Sequence, residues 1–279
     1  MAGLLLLVAG GCAAGAFGAL LGLGGGVLIV PLLTLGFGFP LREAVGASLV
    51  CVIVTSSAAA SVYLQRDVAN LRLGMTLEMF TALAALAGGV VAFALPDRAL
   101  ALMFATLLLY VAATMARGRG VELALKPTPD DAADQALAPA KIAPGNGLAA
   151  ALSGPGYRVR NLGRGVLGSL VAGIVSALFG VGGGIVKVPL MNLAMGVPLR
   201  VATATSNLMI GVTASAGGLI YLLRGGIDPY VAAPLAVGVF AGASLASRIA
   251  DRVDLRLLRM LFVAMLVVTA SQMALRGLP

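Results

Sequence analysis

The sequence predicts an all-α polytopic membrane protein made of two homologous halves, and three observations carry that class. Of 279 residues, 60% are hydrophobic and only 11% charged, with mean hydropathy +1.04. Soluble domains sit at roughly half apolar and about a quarter charged. Apolar runs close to the ~20 residues that cross a bilayer core recur along the chain, whereas a β-barrel would show short alternating segments. Finally, GLGGGVLIVP at 22–31 returns as GVGGGIVKVP at 180–189.

Apolar spans cover 3–21, 27–36, 43–64, 73–95 and 100–116, then 164–179, 185–196, 201–222, 230–249 and 257–275. The first begins MAGLLLLVAGG, without the basic n-region of a cleaved signal peptide, and is expected to be a membrane element. Drawn as one straight helix, 3–33 would be about 46 Å long at ~1.5 Å per residue, against a hydrocarbon core of about 30 Å. The glycines are therefore expected to turn the chain back, giving a hairpin or discontinuous helix. Three full crossings follow in each half. The divisions are an N-terminal transmembrane repeat over 1–116, a polar linker over 117–163 and a C-terminal transmembrane repeat over 164–279. Between Arg117 and Arg164 lie seven basic and four acidic residues and the stretch KPTPDDAADQALAPAKIAPGNG. Its Pro, Gly, Ala and Asp content reads as a mobile linker.

A shift of 158 residues aligns 22–64 with 180–222 without a gap, and 20 of the 43 positions are identical. Low complexity inflates chance identity, but aligned glycine triplets, two prolines and an arginine point to duplication. Internal repeats are common in secondary transporters, whose substrate site lies at the repeat interface. An odd number of crossings per half would invert the second half. With hairpins, the linker side collects 14 basic residues against four opposite (Arg42, Arg98, Arg224 and Arg276), leaving Lys187 inside an apolar span. Single straight crossings give 11 against 7. The positive-inside rule favours the sharper asymmetry: hairpins, inverted halves, a cytoplasmic linker and both termini outside.

Several function classes drop out. The net charge of +8 sits between apolar spans, where it orients a protein in a membrane, so nucleic acid is not an expected partner. Cys12 and Cys51 lie in apolar runs and read as packed small hydrophobes. The chain has no histidine, which excludes Ser–His and Cys–His dyads and His-ligated metals. No Walker A is present, because Val188 follows Lys187. The expectation is a non-enzyme without cofactor or metal.

The candidate binding residues cluster at the two breaks. Gly24, Gly25 and Gly26 with Pro31, and Gly182, Gly183 and Gly184 with Pro189, would free backbone groups and admit a close approach. Free backbone at membrane depth is tolerated only inside protein or along a polar cavity. Facing each other, the breaks would form one central anion site. The competing reading for small residues is close helix packing, as in Gly11–Gly15 and Gly238–Gly242. Lys187 stands opposite Ile29 in the repeat, so one half alone gained a cation there. Such a lysine costs about 2.5–3.5 kcal/mol at a helix centre, which marks it as functional unless it snorkels to an interface. Ser48, Thr55, Ser206, Asn207 and Thr213 offer hydroxyls and an amide to an oxyanion, with bonds to neighbouring helices as the alternative. Asn192, opposite Thr34, has the same two readings, and Glu78 reads as interfacial.

With GLGGGVLIVPLL at 22–33, GVGGGIVKVPLM at 180–191 and PLREAVGASL and PLRVATATSNL behind them, the chain resembles the sulfite exporter (TauE/SafE) family of bacterial membrane proteins. The likeness covers both halves and omits the linker. It implies a multi-pass inner-membrane transporter of small sulfur-containing anions such as sulfite or organosulfonates. Lys187 has no counterpart in the first repeat and enters on chemical grounds alone. The expected partners are that anion and the lipid bilayer, with a homodimer left open. The function expected is export by alternating access between the repeats. A passive anion channel and a non-transporting membrane subunit are the alternatives.

Overall fold

The computed structural model describes residues 2–20, 25–65, 69–116, 151–154, 157–249 and 255–277. In the first half, α1 (Ala2–Leu20) is followed by the short α2 (Gly26–Pro31), which runs on as a π-helical turn over Leu32–Gly36. Then come α3 (Leu41–Gln65), α4 (Leu71–Ala94) and α5 (Asp97–Ala116). The second half repeats the order with α6 (Leu162–Phe179), α7 (Gly184–Pro189) with its π turn over Leu190–Ala194, α8 (Leu199–Leu223), α9 (Pro229–Ile249) and α10 (Leu255–Gly277). Helix starts at Gly26, Leu41, Leu71 and Asp97 recur at Gly184, Leu199, Pro229 and Leu255, a constant shift of 158. The duplication thus extends past the stretch legible by identity.

Among the described residues, six helices contain windows long and apolar enough to cross a bilayer: Leu41–Ala58, Leu71–Ala94, Asp97–Thr114, Leu162–Phe179, Val201–Leu223 and Pro229–Ala246. Large apolar side chains such as Leu83, Leu167, Leu193 and Val237 point outward, as expected where the solvent is lipid. This is a multi-pass membrane protein.

Local chemistry sets the boundaries. The side chain of Asn70 accepts the Leu73 amide and caps α4. Pro31 and Pro189 lack the amide proton of an α-helical turn, and behind each one the helix widens into its π turn. The Arg42 guanidinium donates to the Leu95 carbonyl at 2.6 Å, pairs with Asp97 at 3.2 Å and lies over the Phe93 ring, tying α3 to the α4–α5 turn. The final part of the polar region is not free of the helices. Leu152, Tyr157 and Val159 are buried, and Asn70 donates to the Leu152 carbonyl and the Tyr157 hydroxyl. Apolar side chains therefore anchor 151–154 and 157–161, correcting the mobile reading for those residues; 117–150 and 155–156 lie outside the described residues.

Packing crosses between the halves. Gly11 and Gly15 of α1 lie against the backbone of Leu235 and Val239, while Gly238 and Gly242 of α9 lie against Val8 and Cys12. The two helices run parallel, and their GxxxG pairs do what small residues do in membranes, letting backbones touch. The repeat counterparts α4 and α6 are joined the same way, with Gly88 against Ile174 and Gly173 against Thr81. By contrast α3 and α8, which are each other's repeat mates, run antiparallel: Gly46 meets Gly226, Leu49 meets Gly217, and Ser56 meets Gly211. We expect Gly15→Leu to lower the unfolding free energy by about 1–3 kcal/mol or more, since a side chain there meets backbone that cannot rotate away. A thermal melt in detergent measures it, and an unshifted melt would rule out the tight α1–α9 contact.

Candidate functional site

Each broken segment folds back along the helix before it. Gly25 lies beside the Ala14 carbonyl, and Gly10 faces Leu32 and Phe37, so the direction reverses at the glycines. In the second half Gly183 lies beside the Ala172 carbonyl, Gly168 faces Leu190, and Gly165 faces Met195. Gly25 at φ 74° and Gly182 and Gly183 at φ 79° and 74° take left-handed conformations that glycine adopts without a Cβ penalty. The hairpin is present in both halves. Gly24 lies outside the described residues.

The two breaks touch. A methyl group on Gly26 would come within 2.6 Å of the Gly180 carbonyl oxygen. The Ser48 hydroxyl sits over this crossing, 2.7 Å from the Gly180 carbonyl and 3.2 Å from that of Gly26. In the repeat-related place, the Ser206 hydroxyl is buried beside Gly184 and has no hydrogen-bond partner among the described residues. The Ser176 hydroxyl, next to Gly183, is in the same condition.

Three turns of chemistry converge behind the second break. Lys187 on α7 is 1% exposed, so its ammonium reaches no interface. It donates to Glu78 Oε2 at 3.0 Å and to Thr213 Oγ1 at 2.6 Å. Thr213 in turn donates to Glu78 Oε1 at 2.6 Å, with the Met209 carbonyl 3.1 Å away as a second acceptor. Glu78 is 6% exposed, and the interfacial reading of it is corrected. Its place in α4, one turn past Gly74 and against α8, carries it inward to the lysine. Extending the repeat gives Glu78 the mate Ala236, as Lys187 has Ile29. Both mates are buried apolar side chains. An ion pair therefore joins the two halves at one place, where the repeat-related place holds plain packing. Replacing a buried pair by apolar groups is often neutral or stabilising, so stability does not account for this pair.

The remaining candidates stand apart from this cluster. Thr55 bonds back to the Cys51 and Val52 carbonyls of its own helix, and Asn207 donates to the Thr203 carbonyl one turn earlier. Thr34 bonds to the Val30 carbonyl, and Asn192 closes the end of its hairpin on the Val197 carbonyl. Pro31 and Pro189 act on the helix geometry behind the breaks. No group of metal-ligating side chains assembles among the described residues.

The sulfite exporter TauE/SafE family matches residues 7–273, which takes in both hairpins, both π turns and the ion pair. The chain belongs to the TauE/SafE family. It is 24% identical to the probable membrane transporter protein YunE of Bacillus subtilis over 98% of both chains. It is 28% identical to a probable membrane transporter protein of Methanocaldococcus jannaschii, over 81% of this chain and 74% of that one. A shorter stretch, 30% of this chain, is 34% identical to sulfite exporter TauE/SafE family protein 6 of Arabidopsis thaliana, covering 20% of that protein. No solved structure matches. As a TauE/SafE member the chain is a membrane transporter, and its buried pair and glycine crossing lie within the matched region.

Proposed function

We propose that this TauE/SafE transporter exports sulfite or a related small sulfur-containing anion, such as an organosulfonate, across the cell inner membrane by alternating access. The observation that carries the reading is Lys187, a fully buried cation beside the second glycine break in a half whose twin has isoleucine. An ionisable side chain inside a membrane protein marks a substrate or ion pathway by default. Gly183 and Gly184, with the unpartnered Ser176 and Ser206 hydroxyls beside them, offer donors and close approach to an oxyanion at the second break.

The halves are inverted in this reading. Repeat mates α3 and α8 run antiparallel, and a twofold axis relating antiparallel membrane helices lies across them, in the plane of the bilayer. Each hairpin returns to its starting side and three crossings follow. In a cysteine-free background, Pro40→Cys and Pro198→Cys, which precede the repeat-mate helices α3 and α8, should label from opposite faces of the membrane. Ala138→Cys should label from the cytoplasm. Labelling of the first two from one face would end the inverted arrangement.

Flux of radiolabelled sulfite into proteoliposomes holding the purified protein tests the function. Saturable flux at carrier rates is the expected result. Ion-channel conductance would replace the carrier by a passive anion channel. An absence of flux together with a stable partner in pull-downs would make the chain a subunit of a larger assembly.

A further inference from the structure

Resting on that transport reading, we infer that Glu78 is a proton carrier: it gives up Lys187 to the substrate anion, takes a proton as it does so, and couples each anion to one proton moving the same way.

In the structure the ammonium is spoken for. Its contacts go to Glu78 and Thr213, and both oxygens of the carboxylate are engaged by the same two groups. An anion arriving at Lys187 must take the place of the carboxylate. Two negative groups at one buried cation leave an uncompensated charge, and a buried carboxylate without its counter-ion protonates. The exchange balances. Lys⁺ with Glu⁻ is neutral, and Lys⁺ with the monoanion and neutral Glu–H is neutral too. No bond other than the carboxyl O–H is made, and on release the proton leaves as the pair re-forms.

Thr213 is built for both forms. Its hydroxyl now donates to Glu78 Oε1, and the Met209 carbonyl 3.1 Å away can receive that proton once Glu78 itself becomes a donor to Thr213 Oγ1. Among the described residues no other charge faces the pair. On α4 Arg72 is exposed, on α6 the lone charge is Arg164, also exposed, and α7 contributes Lys187 alone. On α8, Arg224 is exposed and the side chain of Arg200 lies outside the described residues. The repeat-related place, with Ile29 and Ala236, has nothing to titrate, so the expected stoichiometry is a single proton.

Purified full-length protein in proteoliposomes, with the membrane potential clamped by a potassium gradient and valinomycin and a pH dye trapped inside, decides it. The first probe is 2-hydroxyethanesulfonate, a permanent monoanion that brings no proton of its own. Wild type should carry it with one proton per anion and without response to the clamped potential. Potential-driven flux with no lumenal acidification would overturn the proposal. Sulfite is the second probe, read as charge moved per sulfur in wild type and in Glu78→Gln, with Glu78→Met as a second variant should glutamine not fold. Loss of the carboxylate should make transport more electronegative by one elementary charge per sulfur, and an unchanged value would overturn the coupling. Flux of sulfite without proton movement thus removes the coupling and keeps the transporter. If neither anion moves, the transport reading falls and the coupling falls with it.

Discussion

Lys187→Met alone is expected to destabilise the protein by about 3–5 kcal/mol, the usual effect of stripping one partner from a buried ion pair. The carboxylate of Glu78 would be left buried with only Thr213 to bond it. The double variant Lys187→Ile, Glu78→Ala gives each position the residue of its repeat mate and should recover most of that loss. Its transport should nonetheless be gone. The two measurements are a melt in detergent and sulfite flux in proteoliposomes, on the same preparations. A double variant that folds well and still transports would remove the pair from the mechanism. One that stays as unstable as the single variant would instead make the pair a structural element.

Gly26→Val should be comparably damaging for a different reason. A Cβ there falls 2.6 Å from the Gly180 carbonyl and 2.7 Å from Val52, at the crossing of the two hairpins. Relief requires the breaks to separate, which removes the bridge that Ser48 makes between them. Over-packing of this kind costs about 1–3 kcal/mol, and here the obstruction is backbone. Flux should fall to background while Gly36→Val, on an exposed turn with only Leu32 nearby, stays near wild type. Wild-type flux from Gly26→Val would show that the two breaks need not touch.

Much of this was readable from the residues. Repeated glycines and prolines announced the hairpins, and the length of 3–33 required a turn. Lys187 stood out because its mate is Ile29. Glu78 did not stand out, since it lies 109 positions away on another helix and near the start of its span. The signal existed: the 158-residue shift, carried beyond position 64, sets Glu78 against Ala236 just as it sets Lys187 against isoleucine. Thr55 and Asn207 are placed differently. A hydroxyl or amide in an apolar run looks available, but its nearest acceptor is the carbonyl one turn back, and that local bond wins. Ser176 and Ser206, by contrast, are buried without such a bond among the described residues, a difference the sequence does not show.

The glycine contacts between α1 and α9 and between α4 and α6 have a mechanical consequence. Each helix that carries a hairpin is bolted along its length to a helix from the opposite half of the sequence. The genetic repeat is therefore not the rigid body. Sliding one half past the other would tear both seams, whereas a rocking motion can carry α1 with α9 and α4 with α6 as two composite struts and leave the seams closed. The antiparallel α3–α8 pair, related to itself by the repeat, is then the natural pivot. Duplication supplied the parts, and in the proposed alternating access the crossed seams would decide which of them travel together.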